Sequence, residues 1–286
     1  MRPAAPLTRS AAPIARNSKK ILGVTTVVEN RPGGSATIGT GAVIRARPDG
    51  YTIGLGSNSS MLLQPLVNPG LGWSTAEDFT SVVKLGDLPC VLAVRADAPW
   101  RTLAEFIEHA RANPRRVRAS NSGLRTTPDL ATHQLNRKAG TQIVSVPFTG
   151  GGGEALLALL GGRVEATVGF GPTTKGQVEA GKVRILAVFA RERYELFPDA
   201  ATTVESGFDV TLPTSYYVIA PKGLAPEVLA RLTEASVQAV TQPDFISFAK
   251  ANGYILNPIT GDAVKAELTE MQAELREVLA FVQQRS

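Results

Sequence analysis

Short runs of β-branched and aliphatic residues alternate with longer segments of helical period through almost the whole chain. The runs Thr25–Glu29, Tyr51–Leu55, Phe79–Leu85, Cys90–Arg95, Arg116–Ala119, Gln142–Val146, Val164–Val168, Val183–Phe189 and Tyr216–Ala220 read as strands. Short runs of Val, Ile, Leu and Ala suit strands buried on both faces. The intervening segments carry helix signals. Thr102-Leu-Ala-Glu105 is a capping box, in which the Thr102 hydroxyl takes the Glu105 amide while the carboxylate reaches back. Leu103, Phe106, Ile107 and Ala110 then form one apolar face, and Pro114 closes the element. Pro226 opens a helix faced by Val228, Leu229, Leu232, Ala235, Ala239 and Val240. The last helix, from about Asp262 to Gln284, sets Val264, Leu268, Met271, Leu275, Val278 and Val282 at alternating steps of four and three, a seam that packs along a domain or against a partner helix, packing along the domain being the simpler reading. This alternation predicts an α/β fold with mostly parallel sheets and right-handed crossovers. The 286 residues and the helical tail favour two such sheets.

One strand-to-helix junction stands apart, Ile143–Gly162, IVSVPFTGGGGEALLALLGG. A β-branched strand runs into Thr149 and four glycines, and an apolar helix from Glu154 to Leu160 follows at once. The first turn of a helix carries N–H groups without internal partners, and glycines let a ligand approach them. With the helix dipole they form a small anion-binding nest; the same pattern also serves as a plain βα turn.

Composition narrows the chemistry. The chain is 43% hydrophobic and 19% charged, so it can bury a substantial core. Aromatics at 6% are too sparse for a nucleic-acid stacking platform, and no nucleic-acid partner is expected. The net charge of +5 suits an anion, but the basic residues are dispersed, and the densest cluster, Arg111, Arg115, Arg116 and Arg118, reads as solvated surface. Cys90, the only cysteine, lies in the apolar run CVLAV and reads as a small buried hydrophobe. His109 falls off the apolar face of its helix and His133 on the edge of an apolar stripe; these two histidines and one cysteine give no metal-ligand spacing. No cofactor is implied. No apolar window is long enough to span a membrane. Residues 1–20 are basic and Ala/Pro-rich but lack the apolar centre of a signal peptide.

Several strands end in small polar loops: Gly56-Ser57-Asn58-Ser59-Ser60, Ser120-Asn121-Ser122-Gly123 followed by Thr126-Thr127-Pro128-Asp129, and Pro147-Phe148-Thr149-Gly150. Parallel-sheet folds bind ligands at the carboxyl ends of strands. Hydroxyls, amides and free helix N–H groups there can hold a carboxylate by neutral hydrogen bonds. None of these loops pairs a nucleophile with a base, and none is a Gly-rich loop ending in Gly-Lys-Ser/Thr. Donors without proton-transfer groups point to binding and not to catalysis.

Six blocks carry a resemblance: VVENRPGGSATIG (Val27–Gly39), RPDGYTIGLGS (Arg47–Ser57), APWRTLAEFI (Ala98–Ile107), VPFTGGGGEALLALLGGRVEATV (Val146–Val168), EAGKVRILAV (Glu179–Val188) and APKGLAPEVLARL (Ala220–Leu232). In this order they resemble the substrate-binding proteins of tripartite tricarboxylate transporters, the Bug receptors, from roughly Ile21 to the C-terminus. The resemblance implies a periplasmic binding protein type II-like fold, two α/β lobes with a ligand cleft between them. Lobe I takes 1–95 and 218–286, and lobe II takes 96–217. It implies a small organic carboxylate as ligand, membrane components of a transporter as partners and a periplasmic location. By position, Ser57 and Asn58 would serve from the first lobe, and Asn121, Ser122, Thr126, Thr127, Thr149, Gly150 and Gly151 from the second. Tyr216, near the crossover, would touch ligand or simply pack there.

Two departures from the family accompany this. Members begin with a strand and a Gly-Gly…Asp loop ahead of the segment matching Ala12–Val28, whereas residues 1–20 here hold neither. The first lobe is therefore expected to lack one strand and one anion-binding loop. Many members carry a polar pair after the strand matching Val164–Val168, where this chain has Gly169-Phe170-Gly171, so Phe170 either walls the ligand or packs the core. The expected function is a non-catalytic receptor that captures a small carboxylate for transport. The alternatives are a ligand-sensing partner of a regulatory system, an enzyme using the glycine loop for a phosphorylated substrate, and a defective or mis-started member without binding activity.

Overall fold

The computed structural model describes residues 6–31 and 33–283 of the chain. The chain divides into two compact units, one from Met1–Asp87 and Ser215–Arg276, the other from Leu88–Thr214 and Glu277–Ser286.

The first unit holds a four-stranded sheet of β1 (Gly54–Ser57), β2 (Phe79–Leu88), β8 (Thr214–Pro221) and β9 (Ile255–Leu256), in the order β1-β8-β2-β9. Its helices are α1 (Pro6–Leu22), α2 (Thr37–Ile44), α3 (Gln64–Val67), α8 (Pro226–Val240), α9 (Pro243–Ala251) and the greater part of α10 (Asp262–Gln283). The seam expected along the last helix is buried at Val264, Leu268, Leu275 and Val278. Helix α1 packs against α8, with Ile14, Asn17 and Ser18 buried; Asn17 donates to Ala239 O at 3.1 Å and to Asp244 Oδ1 at 2.9 Å. The 1–20 stretch thus contributes a helix where the sequence showed only an Ala/Pro-rich tract.

A charged network crosses this unit. Lys84, 4% exposed on β2, lies 2.9 Å from Asp87 Oδ2 and 2.8 Å from Glu267 Oε2. Tyr217 donates to Glu267 Oε1 at 2.7 Å, Ser215 to Asp87 Oδ1 at 2.5 Å, and Asn257 to Asp87 Oδ2 at 2.7 Å. Burial and the neighbouring Glu267 raise the Tyr217 phenol well above its ordinary value, so this hydroxyl stays a donor. Each buried charge therefore has an opposite charge and further hydrogen bonds, the condition under which buried ions are tolerated.

The second unit holds a five-stranded sheet of β3 (Cys90–Arg95), β4 (Arg118–Asn121), β5 (Val144–Pro147), β6 (Ala166–Phe170) and β7 (Val183–Val188), in the order β5-β4-β6-β3-β7. Its helices α4 (Leu103–Ala112), α5 (Thr127–Ala139), α6 (Gly152–Leu160) and α7 (Gly171–Glu179) follow β3, β4, β5 and β6 in turn. The core gathers Cys90, Leu92 and Val94 of β3 with Phe106, Leu135, Val168 and Phe189. Burial pushes the Cys90 thiol up, so it stays protonated and packs as a hydrophobe. The expected cap of α4 forms: Thr102 accepts from Glu105 N, while the Glu105 carboxylate reaches back one residue further, to Arg101 N at 2.6 Å.

Three expectations are corrected. The sheets are mixed and not mostly parallel: β4 runs parallel to β5 and β6, whereas β3 is antiparallel to β6 and β7, and β1 to β8 and β2 to β9 are antiparallel. Strand β3 arrives directly from β2 across Pro89, without a helical crossover, so nothing requires it to run with its neighbours. Thr25–Glu29 forms no strand; it is exposed, with Val27 83% accessible. Its composition favours a strand, but a strand is held by cross-strand bonds, and no described strand pairs with it. Third, Ser120 and Asn121 belong to β4 and not to the loop after it, because their backbones pair with Val146 and Pro147.

Candidate functional site

The parallel strands β5, β4 and β6 lie side by side, so their carboxyl ends share one edge of the second unit's sheet. The loop at 148–151 leaves β5, the loop at 122–126 leaves β4, and Phe170 ends β6. A bond from Phe148 N to Asn121 O, 3.0 Å, ties the first two loops together. This edge brings together Asn121, Ser122, Thr126, Thr127, Thr149, Gly150, Gly151 and Phe170. Ser57 and Asn58 lie in the first unit, at the end of β1 and just beyond it.

The β4 loop is built around Asp129, 2% exposed in the first turn of α5. Its Oδ1 accepts from Ser145 Oγ at 2.5 Å and from Asn121 Nδ2 at 3.4 Å, and its Oδ2 accepts from Arg125 N at 2.7 Å. His133 Nε2, half-buried one turn further along α5, lies 3.6 Å from Oδ1. Burial pushes the Asp129 carboxyl up, but His133, Ser145 and the Arg125 amide outweigh it and hold the group below the usual carboxylate range. Asn121 also donates to Ser145 Oγ at 2.7 Å and accepts from Gly123 N at 3.0 Å. The Thr126 hydroxyl donates to Gly123 O at 2.7 Å, and the Thr127 hydroxyl takes a bond from Thr214 at 3.0 Å. Asn121 is thus a brace of this loop, wholly buried, while Ser122 and Thr126 keep part of their surface open.

Ser145, Asp129 and His133 are the residue types of a nucleophilic triad, but their order is wrong for one. The carboxylate sits between the other two and itself accepts the serine's hydrogen bond, so no imidazole is placed to activate that hydroxyl.

The glycine loop after β5 opens α6. Thr149 and Gly150 are exposed, and Gly151 takes φ 81°, a left-handed conformation that glycine adopts without steric cost. Gly150 N donates to Glu154 Oε2 at 2.8 Å, and a Cβ on residue 150 would meet that oxygen at 2.4 Å. The helix therefore caps one donor with its own first-turn acid, leaving the amides of residues 152–154 without intrahelical acceptors. Ser120 Oγ donates to Ala155 O at 2.8 Å, fixing α6 against β4.

Phe170 is half-buried and packs against the core of the second unit. Tyr216 is buried on β8, edge-on to Tyr254 with ring centroids 5.3 Å apart, and lines a small apolar cavity with Leu85, Phe245 and Phe248. Ser57 and Asn58 are also buried: Asn58 Oδ1 accepts from Ser59 N at 3.0 Å and Ser215 N at 3.2 Å, and its amide contacts Met271 Sδ at 3.1 Å. Sequence reasoning passed over Asp129, Ser145, Arg125 and Glu154 as site-forming residues. The Thr126-x-x-Asp129 spacing, a capping-box pattern, was the available signal for Asp129.

Two α/β units with these mixed sheets define a periplasmic binding-protein fold. Its solved counterparts include a TctC solute-binding protein from Polaromonas, with TM-score 0.85 and 30% identity over 97% of this chain and 95% of that one. A second, from R. palustris, was solved with adipate and has TM-score 0.79 and 26% identity over 95% of this chain and 91% of that one. BugT of Bordetella pertussis is 30% identical over 242 residues, 84% of this chain and 74% of that protein. The model of the tripartite tricarboxylate transporter family receptor matches residues 10–282, and the chain belongs to that family. Its members, and the similar solved structures of TctC and BugD, are solute-binding receptors.

Proposed function

We propose that this protein captures a small organic carboxylate in the periplasm and delivers it to the membrane components of a tripartite tricarboxylate-type transporter. The shared edge of β5, β4 and β6 carries this reading. It offers hydroxyls, backbone amides and the N-termini of α5, α6 and α7, a donor set suited to an anion that is held and released unchanged. Adipate in a relative of the same fold supports the ligand class. Among the described residues no helix is long and apolar enough to cross a membrane. Ser122, Thr126, Thr149, Gly150 and Gly151 are the proposed direct contacts. Asn121, Thr127, Ser57 and Asn58 act mainly by shaping the loops, and Phe170 forms an apolar wall.

A thermal-shift screen over mono-, di-, tri- and aromatic carboxylates tests it. A true ligand at a hundredfold excess over its dissociation constant stabilises the fold by ~2.7 kcal/mol and raises the melting temperature. No shift with any acid, in a cooperatively folded sample, removes the carboxylate reading.

A further inference from the structure

The far edge of the second unit's sheet, away from the candidate ligand site, is basic. Strand β7 runs antiparallel to β3, and β3 antiparallel to β6, so the starts of β4, β5, β6 and β7 and the end of β3 share that edge. Backbone bonds tie its turns together: Arg115 N to Gln142 O at 3.1 Å, Glu165 N to Arg118 O at 3.1 Å and Ala96 N to Lys182 O at 3.0 Å. Arg115 and Arg116 precede β4, Arg163 precedes β6 and Lys182 precedes β7, and all four are exposed. Five strands at the ordinary spacing spread these charges over about 20 Å.

Nothing in the fold engages these four cations. Among the described residues their side chains have no ion-pair or hydrogen-bond partner, whereas Arg95, Arg118 and Arg111 beside them are committed to Asp97, Glu165 and the Ala139 carbonyl. The bordering acids are spoken for as well, Asp97 and Glu165 by those arginines and Glu179 by Lys175 at 3.8 Å. Apolar surface adjoins the charges. Arg95, Asp97, Leu160, Gly181 and Lys182 line an open cleft of ≈ 420 Å³. Arg95 lies over the Gly161-Gly162 turn, where a Cβ on residue 162 would meet its guanidinium at 2.7 Å. Leu157, one turn before Leu160 on the same face of α6, is 67% exposed.

We propose that this edge docks on a membrane surface of anionic phospholipid. Arg115, Arg116, Arg163 and Lys182 face the lipid phosphates, Leu157 enters the headgroup region, and the cleft seats one headgroup. Cations on long flexible stems, set along a line and not around a pocket, suit a plane of phosphates, and exposed leucines beside them are what a lipid interface rewards. Trp100, in the turn after β3, is buried against Phe106 and is not offered to a nucleic-acid base. The carboxyl ends of β4 and β5 lie at the other end of strands about 13 Å long, so docking leaves the candidate ligand edge open. The inference stands whichever molecule that edge binds.

The test is co-sedimentation of the full chain with vesicles of phosphatidylcholine, alone or mixed in equal parts with phosphatidylglycerol. The wild type binds the mixed vesicles and not the neutral ones, and is released as salt is raised. Arg115→Gln, Arg116→Gln, Arg163→Gln and Lys182→Gln each weaken binding about fivefold, the loss expected for one surface cation, and the four together abolish it. Leu157→Ser weakens binding at low and high salt alike. A control with Arg47→Gln, Lys222→Gln, Arg231→Gln and Arg276→Gln, four exposed cations of the first unit, carries the same net charge as the quadruple edge variant and keeps most of the wild-type binding. Failure of the wild type to bind the mixed vesicles overturns the proposal. Equal losses in the two quadruple variants also overturn it, since net charge alone would then be the cause. Tighter binding to soluble poly-glutamate than to the mixed vesicles assigns the edge to an acidic protein partner and overturns the lipid reading.

Discussion

Asp129 shows how one buried acid organises a binding edge. It fixes the backbone of Arg125, orients Asn121 through Ser145 and lies beside His133. Its carboxyl is held below the ordinary range, so the charged form is bound more tightly in the fold than in the unfolded chain. The stabilisation is therefore fully present above the unfolded value near pH 4 and is lost as the pH falls through the lower folded value. Asp129→Asn should cost about 1–3 kcal/mol at pH 7, with the gap narrowing below about pH 4; denaturant titrations at pH 7 and pH 3 measure both. An equal loss at the two pH values would show that charge has no part in it. Little of this was legible beforehand. Asp129 was visible only as a residue opening a helix, because its partner Ser145 is 16 residues away in another strand. The left-handed backbone at Arg125 was hidden too, since the turn signal in Ser-Gly-Leu-Arg falls on Gly123.

At the scale of elements, runs with internal hydrophobic content were readable and their limits were not. Cys90–Arg95 matches β3 residue for residue because it has a strand on either side and is apolar up to Arg95. The ends of β4 and β5 shift by about two residues, since pairing and not composition decides where a strand stops. Thr25–Glu29 is the extreme case, strand-like in every residue and unpaired. Helix α1 was missed for the converse reason: Pro13 lies inside it, and an internal proline removes one helical bond and reads as a break. Burial of Ile14 and the two bonds from Asn17 to α8 and α9 offset that loss. The mixed character of the sheets could not be read from alternation, because β2 feeds β3 without a helix. Strand β2 also carries a charge that hydrophobic patterning cannot place. Lys84→Met should destabilise the protein by about 3–5 kcal/mol, by leaving Asp87 and Glu267 together without their cation. Adding Glu267→Gln should recover part of it, as chemical denaturation of the single and double variants would show. A loss below 1 kcal/mol in the single variant would mean that the two acids find water instead.

For the whole molecule, the family and fold were readable because their signals are distributed: motif blocks run from Val27 to Leu232, and the matching receptor model spans residues 10–282. The charge of +5 carried less meaning, since many of the cations sit in exposed ion pairs such as Arg95 with Asp97 and Arg193 with Glu205. The division of the chain has a consequence in time. All five strands of the second unit come from the continuous stretch Leu88–Thr214. The first unit joins Met1–Asp87 to Ser215–Arg276, and the bond from Asn17 to Ala239 closes a separation of 222 residues. Closing long loops is entropically costly, and elements dominated by distant contacts form late. During synthesis, the sheet bearing the glycine loop and Arg125 can assemble while the partners of β1 and β2 are still being made. Pulse-labelling hydrogen exchange during refolding should show β3–β7 protected before α1 and α8; simultaneous protection would mean that the two units fold as one. The early helices of the first unit then wait exposed for most of the chain's synthesis, which makes that unit the place where misassembly begins.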